Sequence, residues 1–216
     1  GLLNDLREVS RSANAEFAER LGISPSAAIT CVKPSGTVSQ LVDSASGIHP
    51  RHAKFYVRRV RGDKKDPISQ FLVSQGVPNE PCVYKPDNTI VFSFPQRAPD
   101  GIVRADVTPI SHLELWLTYQ RSYTEHKPSI TVSVEEKDWP AVGAWVWEHF
   151  DELSGVSFLP YDGGTYRQAP YEECTEDEYN ELKAKMPTLN WELFLEETDN
   201  VEGAQMLACV SGVCEI

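Results

Sequence analysis

Apolar residues recur at helical spacing from the start of the chain. Leu2, Leu3, Leu6, Val9, Ala13, Phe17, Ala18 and Leu21 stand among charges, and Gly22 supplies a stop, so the pattern predicts a helix over residues 2–22. Asp66-Pro67 ahead of Ile68, Phe71, Leu72 and Val73 predicts a capped helix with proline in its first turn, closed by Gly76-Val77-Pro78. Residues 109–124 predict another, with Leu113, Trp116, Leu117, Gln120 and Tyr123 on one face, and Trp139-Pro140 starts a further one. β-branched runs at 89–94, 129–134 and 155–159 predict strands, and Phe55–Arg61, where aromatic and valine residues alternate with arginine, predicts an exposed or edge strand. This alternation of helix and strand predicts an α/β fold with mainly parallel pairing. Residues 172–186 predict an acidic helix capped by Thr175, residues 187–197 a short aromatic packing segment, and residues 198–216 a mobile tail.

The stretch at 28–40, Ala-Ile-Thr-Cys-Val-Lys-Pro-Ser-Gly-Thr-Val-Ser-Gln, carries the first chemical signal. Ala28–Val32 predict a short buried strand, Pro34 bars its continuation, Gly36 allows a turn, and Val38, Leu41 and Val42 predict a short helix running to Ser46. Strand, hydroxyl-rich turn and helix start together can cradle a phosphate, because the first amides of a helix lack intrahelical partners. A plain connection that binds nothing uses the same residue types. Lys33 precedes the glycine and no second glycine stands at the required spacing, which excludes the Gly-x-x-x-x-Gly-Lys-Ser/Thr nucleotide loop.

The 216 residues suffice for one large or two small domains, and 41% hydrophobic with 24% charged residues fits a soluble globular protein. No apolar run of membrane-spanning length is present, so the expectation is a cytoplasmic chain without a membrane partner, with a processed or truncated leader left open by the missing start methionine. A net charge of −12 argues against general nucleic-acid binding. The charge is uneven: Arg51, Lys54, Arg58, Arg59, Arg61, Lys64 and Lys65 face a single acid, Asp63, whereas residues 172–216 hold twelve acids and two lysines. The basic stretch suits an anionic ligand or a partner, or simply a solvated strand face.

The cysteines, Cys31, Cys82, Cys174, Cys209 and Cys214, are odd in number and irregular in spacing, unlike a secreted disulfide framework. Cys209 and Cys214 flank a short Gly-containing segment, which makes a reversible dithiol–disulfide pair geometrically easy; two idle surface thiols are the alternative. Zinc needs further Cys or His neighbours that are absent there, so no metal site is expected. Cys31 is expected to lie buried in its strand. His112 and His149 are expected to pack or lie on the surface, and His49 and His52 suit either an anion contact or a turn.

Residues 27–40, with Lys33-Pro34-Ser35-Gly36-Thr37-Val38 at their centre, resemble the substrate-phosphate loop of ribonucleotide reductases. Ser46-Gly47-Ile48-His49-Pro50-Arg51, Tyr56-Val57-Arg58-Arg59-Val60-Arg61 and Glu125-His126-Lys127-Pro128-Ser129-Ile130-Thr131-Val132-Ser133-Val134 are similar to the adenosylcobalamin-dependent class, especially its monomeric triphosphate-reducing branch. The terminal cysteine pair fits as well, and the motifs stand in the family's order over nearly the whole chain.

The resemblance implies the C-terminal part of a ten-stranded α/β barrel with a flexible C-terminal tail: barrel over 1–160, a helical and irregular packing segment over 161–197, and a redox tail over 198–216. It implies substrate-phosphate binding by Pro34, Ser35, Gly36, Thr37 and Val38, and a redox shuttle of Cys209 and Cys214 serving a thiyl-radical reduction of ribonucleoside triphosphates or diphosphates. The implied cofactor is adenosylcobalamin. The implied partners are the ribonucleotide, a thioredoxin-like reductant and an N-terminal reductase portion carrying the radical cysteine. The family's Asn-x-Cys-x-Glu segment, active-site dithiol and allosteric region lie upstream of the phosphate loop, where only 27 residues without cysteine precede Ala28. The chain is therefore expected to be a C-terminal portion, inactive alone, with an exposed sheet edge and apolar face. A non-catalytic phosphate-binding module and a thiol–disulfide carrier are the competing readings.

Overall fold

The computed structural model describes residues 1–35, 38–161 and 167–195. The chain forms two units that interleave along the sequence. One comprises Gly1–Arg51 with Ile102–Asp162, the other His52–Gly101 with the described part of Gly163–Ile216.

The first unit opens with α1 (Leu2–Leu21), which ends as its sequence predicts, with Gly22 left-handed and its amide returned to the last turn. Of its apolar positions only Ala18 is buried; Leu2, Leu6, Val9, Phe17 and Leu21 are exposed. The core lies elsewhere. It is built by α4 (Pro109–Ser122), β4 (Ser129–Val134), α5 (Trp139–Glu148) and β5 (Gly155–Pro160). Ile130, Val132 and Val134 fall on one face of β4 through its alternating sequence, and they pack with Leu113, Trp116, Leu117, Val142 and Trp145. The Trp116 indole N–H, fully buried, donates to the Pro128 carbonyl at 2.9 Å, so its polar atom is satisfied. β4 and β5 pair in parallel across the α5 crossover, as expected of a βαβ unit. Gly155 is required there: a Cβ would lie 2.6 Å from the Pro128 carbonyl oxygen.

In the second unit, β1 (Phe55–Asp63), β2 (Asn79–Pro81), β3 (Thr89–Arg97) and β6 (Tyr171–Glu173) form a sheet in the order β2-β3-β1-β6, antiparallel throughout. Two expectations are corrected. Among the described residues strand pairing is mainly antiparallel, with β4 and β5 the parallel strand pair, and β1 is an inner strand. Its arginines do not need open solvent: Arg58, Arg59 and Arg61 donate to the carbonyls of Pro170, Ala169 and Gln168, Arg59 pairs with Glu172, and Arg58 stacks over Tyr171. Val60 is the exposed position instead.

α3 (Pro67–Ser74) starts as expected, with the Asp66 carboxylate accepting from the Ile68 amide at 3.1 Å, and its Leu72 joins Val77, Ile90 and Phe92 in a small core. α6 is shorter than its acidic pattern predicts. Thr175 does cap it, in a reciprocal box with Glu178, but the helix spans Glu176–Lys185 and the preceding residues Tyr171–Glu173 pair with β1 as β6. Residues 187–195 contain one short turn, Trp191–Leu193, whose indole packs on Phe71.

Two glycines give opposite outcomes. Gly155→Ala forces Cβ into the Pro128 carbonyl and should cost about 1–3 kcal/mol. Gly143→Ala, inside α5 with open space where Cβ would stand, should add about 1 kcal/mol through helix propensity. Urea-unfolding midpoints of the two variants check both signs.

Candidate functional site

Residues 28–35 have strand-like composition but no strand partner, and the expected strand at Ala28–Val32 does not form. Their backbone groups must be satisfied in another way. The turn that follows α4 does this. Glu125 turns its carboxylate back on the segment and accepts the Ile29 amide at 2.7 Å and the Thr30 amide at 3.4 Å. In return the Thr30 carbonyl accepts the amides of Glu125 at 2.9 Å and His126 at 3.3 Å, and the Thr30 hydroxyl donates to the Tyr123 carbonyl at 2.5 Å. Thr30 is buried and Cys31 half-buried, so Cys31 is neither in a strand nor fully enclosed as expected.

Of the residues expected to bind phosphate, Pro34, Ser35 and Val38 are described; Gly36, Thr37, Cys209 and Cys214 lie outside the described residues. The Ser35 amide donates to the Ser46 hydroxyl at 2.8 Å, and the Ser39 hydroxyl donates to the Ser35 carbonyl at 2.9 Å. Val38 opens α2, a single turn (Val38–Leu41). The helix expected to reach Ser46 stops there, because Asp43 turns left-handed at φ 51° and the Ser44 amide returns to the Ser39 carbonyl at 2.8 Å. Gly47, at φ 59°, sits under the segment, where a Cβ would stand 3.1 Å from the Lys33 oxygen. Lys33 and Ser35 thus rest on the turn 46–49, which the sequence offered as a helix end and a family-like motif without showing what it supports.

The basic stretch is divided between the two units. Arg51 is buried and pairs with Asp43 at 3.1 Å, while the β1 arginines are bonded within the second unit as described above. His112 is buried, as packing would require, and its Nε2 donates to the Ile48 carbonyl at 3.0 Å. His149 stacks on Trp145. Cys82, which had no partner in the sequence, is buried. Burial raises its thiol pKa, but the Tyr84 and Lys85 amides and the Arg61 guanidinium lower it, with a net fall.

Glu125 is the site residue that the sequence concealed. Its partners stand 95 and 96 positions away, and although Glu125 opens one of the family-like motifs, nothing local to it pointed to Ile29 and Thr30. The Ile29 amide holds its carboxyl below the usual range, against a smaller opposing effect of burial; the Thr30 amide and the guanidinium groups of Arg11 and Arg7 add to the lowering. A depressed folded-state pKa contributes stability above the unfolded value of about 4.3, and that stability is lost as pH falls through the folded value. Glu125→Gln should therefore lower the melting temperature at neutral pH, with the gap to wild type closing in acid below about pH 4. A gap that is constant across a pH series of melts would refute this.

No protein-family model matches the chain. It is 29% identical over its whole length to the adenosylcobalamin-dependent ribonucleoside-triphosphate reductase of Lactobacillus acidophilus, of which it covers 30%. It is 31% identical over 83% of its length to that of Euglena gracilis, and 33% identical over 88% to the probable one of Dictyostelium discoideum, covering 25% of each. The crystal structure of a B-12 dependent (class II) ribonucleotide reductase superposes on 88% of the chain and 27% of that protein, with a TM-score of 0.75 at 24% identity, so the fold is shared. The chain spans about 25–30% of the length of the curated relatives it matches. The chain is thus similar in sequence to one portion of adenosylcobalamin-dependent ribonucleoside-triphosphate reductases and shares the fold of part of a class II ribonucleotide reductase.

Proposed function

We propose that this chain is the C-terminal portion of a ribonucleotide reductase that converts ribonucleoside triphosphates, or diphosphates, to 2′-deoxyribonucleotides. In that role Pro34–Val38 hold the substrate phosphates and Cys209 with Cys214 form the dithiol shuttle. The observation that carries the reading is the homology to ribonucleoside-triphosphate reductases over the whole chain.

The loop's local chemistry suits an anion. Ser35, Thr37 and Ser39 bring hydroxyls to the stretch, and α2 presents the first amides of a helical turn beginning at Val38. The arm leading into it is tied down by Glu125 at Ile29 and by Ser46 at Ser35, so binding would meet a backbone already held up to Ser35. In the tail, Cys209 and Cys214 would give two electrons and two protons to an active-site disulfide and become a disulfide themselves. A thioredoxin-like reductant would then restore them. The radical cysteine and its dithiol belong to an N-terminal portion, and the exposed Leu2, Leu6, Val9 and Phe17 of α1 are apolar surface that such a portion can cover.

The relatives' names specify adenosylcobalamin, which would supply the radical. Cobalamin carries its cobalt within its own corrin ring, so the chain need supply no cluster of metal ligands, and among the described residues no group of three His, Cys, Asp or Glu side chains is placed to hold a metal ion.

The test is reconstitution. The chain, an N-terminal reductase portion, adenosylcobalamin, a nucleoside triphosphate and a thioredoxin system should form deoxynucleotide only when both portions are present. Cys209→Ser with Cys214→Ser should abolish multiple turnover and spare the first. Triphosphate binding without deoxynucleotide in the reconstituted mixture would instead favour a phosphate-binding module. Loss of the first turnover in the double variant would favour a simple thiol carrier.

A further inference from the structure

His49 stands directly behind the loop, in the turn that Gly47 brings against Lys33. Its Nδ1 lies 2.8 Å from the Ser46 carbonyl, which can only accept, so Nδ1 must carry the proton. Its Nε2 lies 2.9 Å from the Thr131 amide of β4, which can only donate, so Nε2 must be bare. The two partners together select one neutral tautomer. Ser46 in turn receives the Ser35 amide on its hydroxyl, and Ser35 receives Ser39 on its carbonyl. Hydrogen bonds joined through the covalent frame of Ser46, whose carbonyl meets the imidazole and whose hydroxyl meets Ser35, therefore run from β4 to Ser35.

We propose that His49 is a positioning residue for Ser35, where the chain enters the phosphate-loop stretch, bracing that residue from β4 through Ser46 and releasing it when the imidazole gains a second proton. This rests on the phosphate-loop reading above. A protonated Nε2 would aim a donor at the Thr131 donor, and the brace would part there. The titratable neighbour from the packed helix is His112 of α4, whose ring meets that of His49 edge-on at 5.5 Å. Within the same loop, Asp43 and Arg51 pair with each other, and β4 presents the Thr131 backbone. Burial holds both imidazoles below their ordinary value, and the nearness of His49 lowers His112 further. A depressed histidine pKa leaves the brace intact at and above the ordinary value of about 6.5 and loses it as pH falls through the folded-state value.

The probe is inorganic tripolyphosphate, titrated calorimetrically into wild type, His49→Gln and His112→Gln from about pH 8 down to the acid end at which wild-type nitrogen-15 spectra show the His49 ring doubly protonated. The ratio of variant to wild-type Kd cancels the ligand's own titration. For His49→Gln the ratio should be about five- to tenfold at the alkaline end, the worth of roughly one hydrogen bond, and fall toward one at the acid end. For His112→Gln, which has no bond to Ser46, it should stay near one. A His49→Gln ratio that is flat with pH, or near one throughout, overturns the brace while leaving the phosphate loop standing. Absence of wild-type binding at every pH overturns the phosphate loop and the brace with it.

Wild-type amide exchange keeps the idea falsifiable should His49→Gln fail to fold. Thr131 and Ser35 should lose protection together on acidification, once rates are corrected for intrinsic exchange, and nitrogen-15 spectra should show the Nδ1–H tautomer. The opposite tautomer, or uncoupled protection of the two amides, overturns the proposal.

Discussion

Everything proposed for the loop depends on how an unladdered backbone is kept in place. A segment with no neighbouring strand has amides and carbonyls that burial would otherwise leave unpaired, at about 1–3 kcal/mol each. Glu125 and Thr30 resolve this by exchanging side-chain and main-chain bonds between the segment and the turn after α4. That turn is itself fixed, because β4 begins three residues later and its apolar face is locked into the core by Trp116 and Val142. The rigidity of the parallel β4–β5 pair is thus passed to the loop by a handful of polar contacts. A ladder would have held the segment along its whole length; this arrangement holds it at Ile29 and Thr30 and again at Ser35, with residues 31–34 between them.

Elements with local causes were legible before any coordinates. Gly22, the Asp66-Pro67 pair and the alternation of Ser129–Val134 each carry their own structural signal within a few residues, and α1, α3 and β4 follow them. Elements defined by a distant partner were not. The β1 arginines look solvent-bound until the carbonyls of 168–170 are seen to receive them, and Tyr171–Glu173 joins the sheet although its neighbours are helix formers. Ala28–Val32 failed for the same reason: composition measures a liking for extended backbone and says nothing of whether a strand will be there to pair with it.

The candidate site divides along the same line. Its motifs stood out because several of them occur in one order, and the homology to the reductases follows that order over the whole chain. The residues that hold the loop, Glu125, Ser46, Gly47 and His49, sit inside those motifs, yet their tasks depend on geometry between segments some 10 to 100 positions apart. Motif resemblance therefore points to what a loop holds more readily than to what holds the loop.

The bridge between Arg51 and Val103 has a further consequence, for how the chain reaches this state. The Arg51 amide donates to the Ile102 carbonyl, and the Arg51 carbonyl accepts the Arg104 amide, so the chain leaves the first unit and re-enters it at adjacent points. The intervening fifty residues are a closed detour. Bringing its ends together costs conformational entropy that grows only slowly with length, each doubling adding about 0.6 kcal/mol. Lengthening or shortening that excursion would be cheap for the first unit, whose own core lies outside it. The junction is a place where a gene could admit, trim or exchange a whole segment without disturbing the strand pair that steadies the loop.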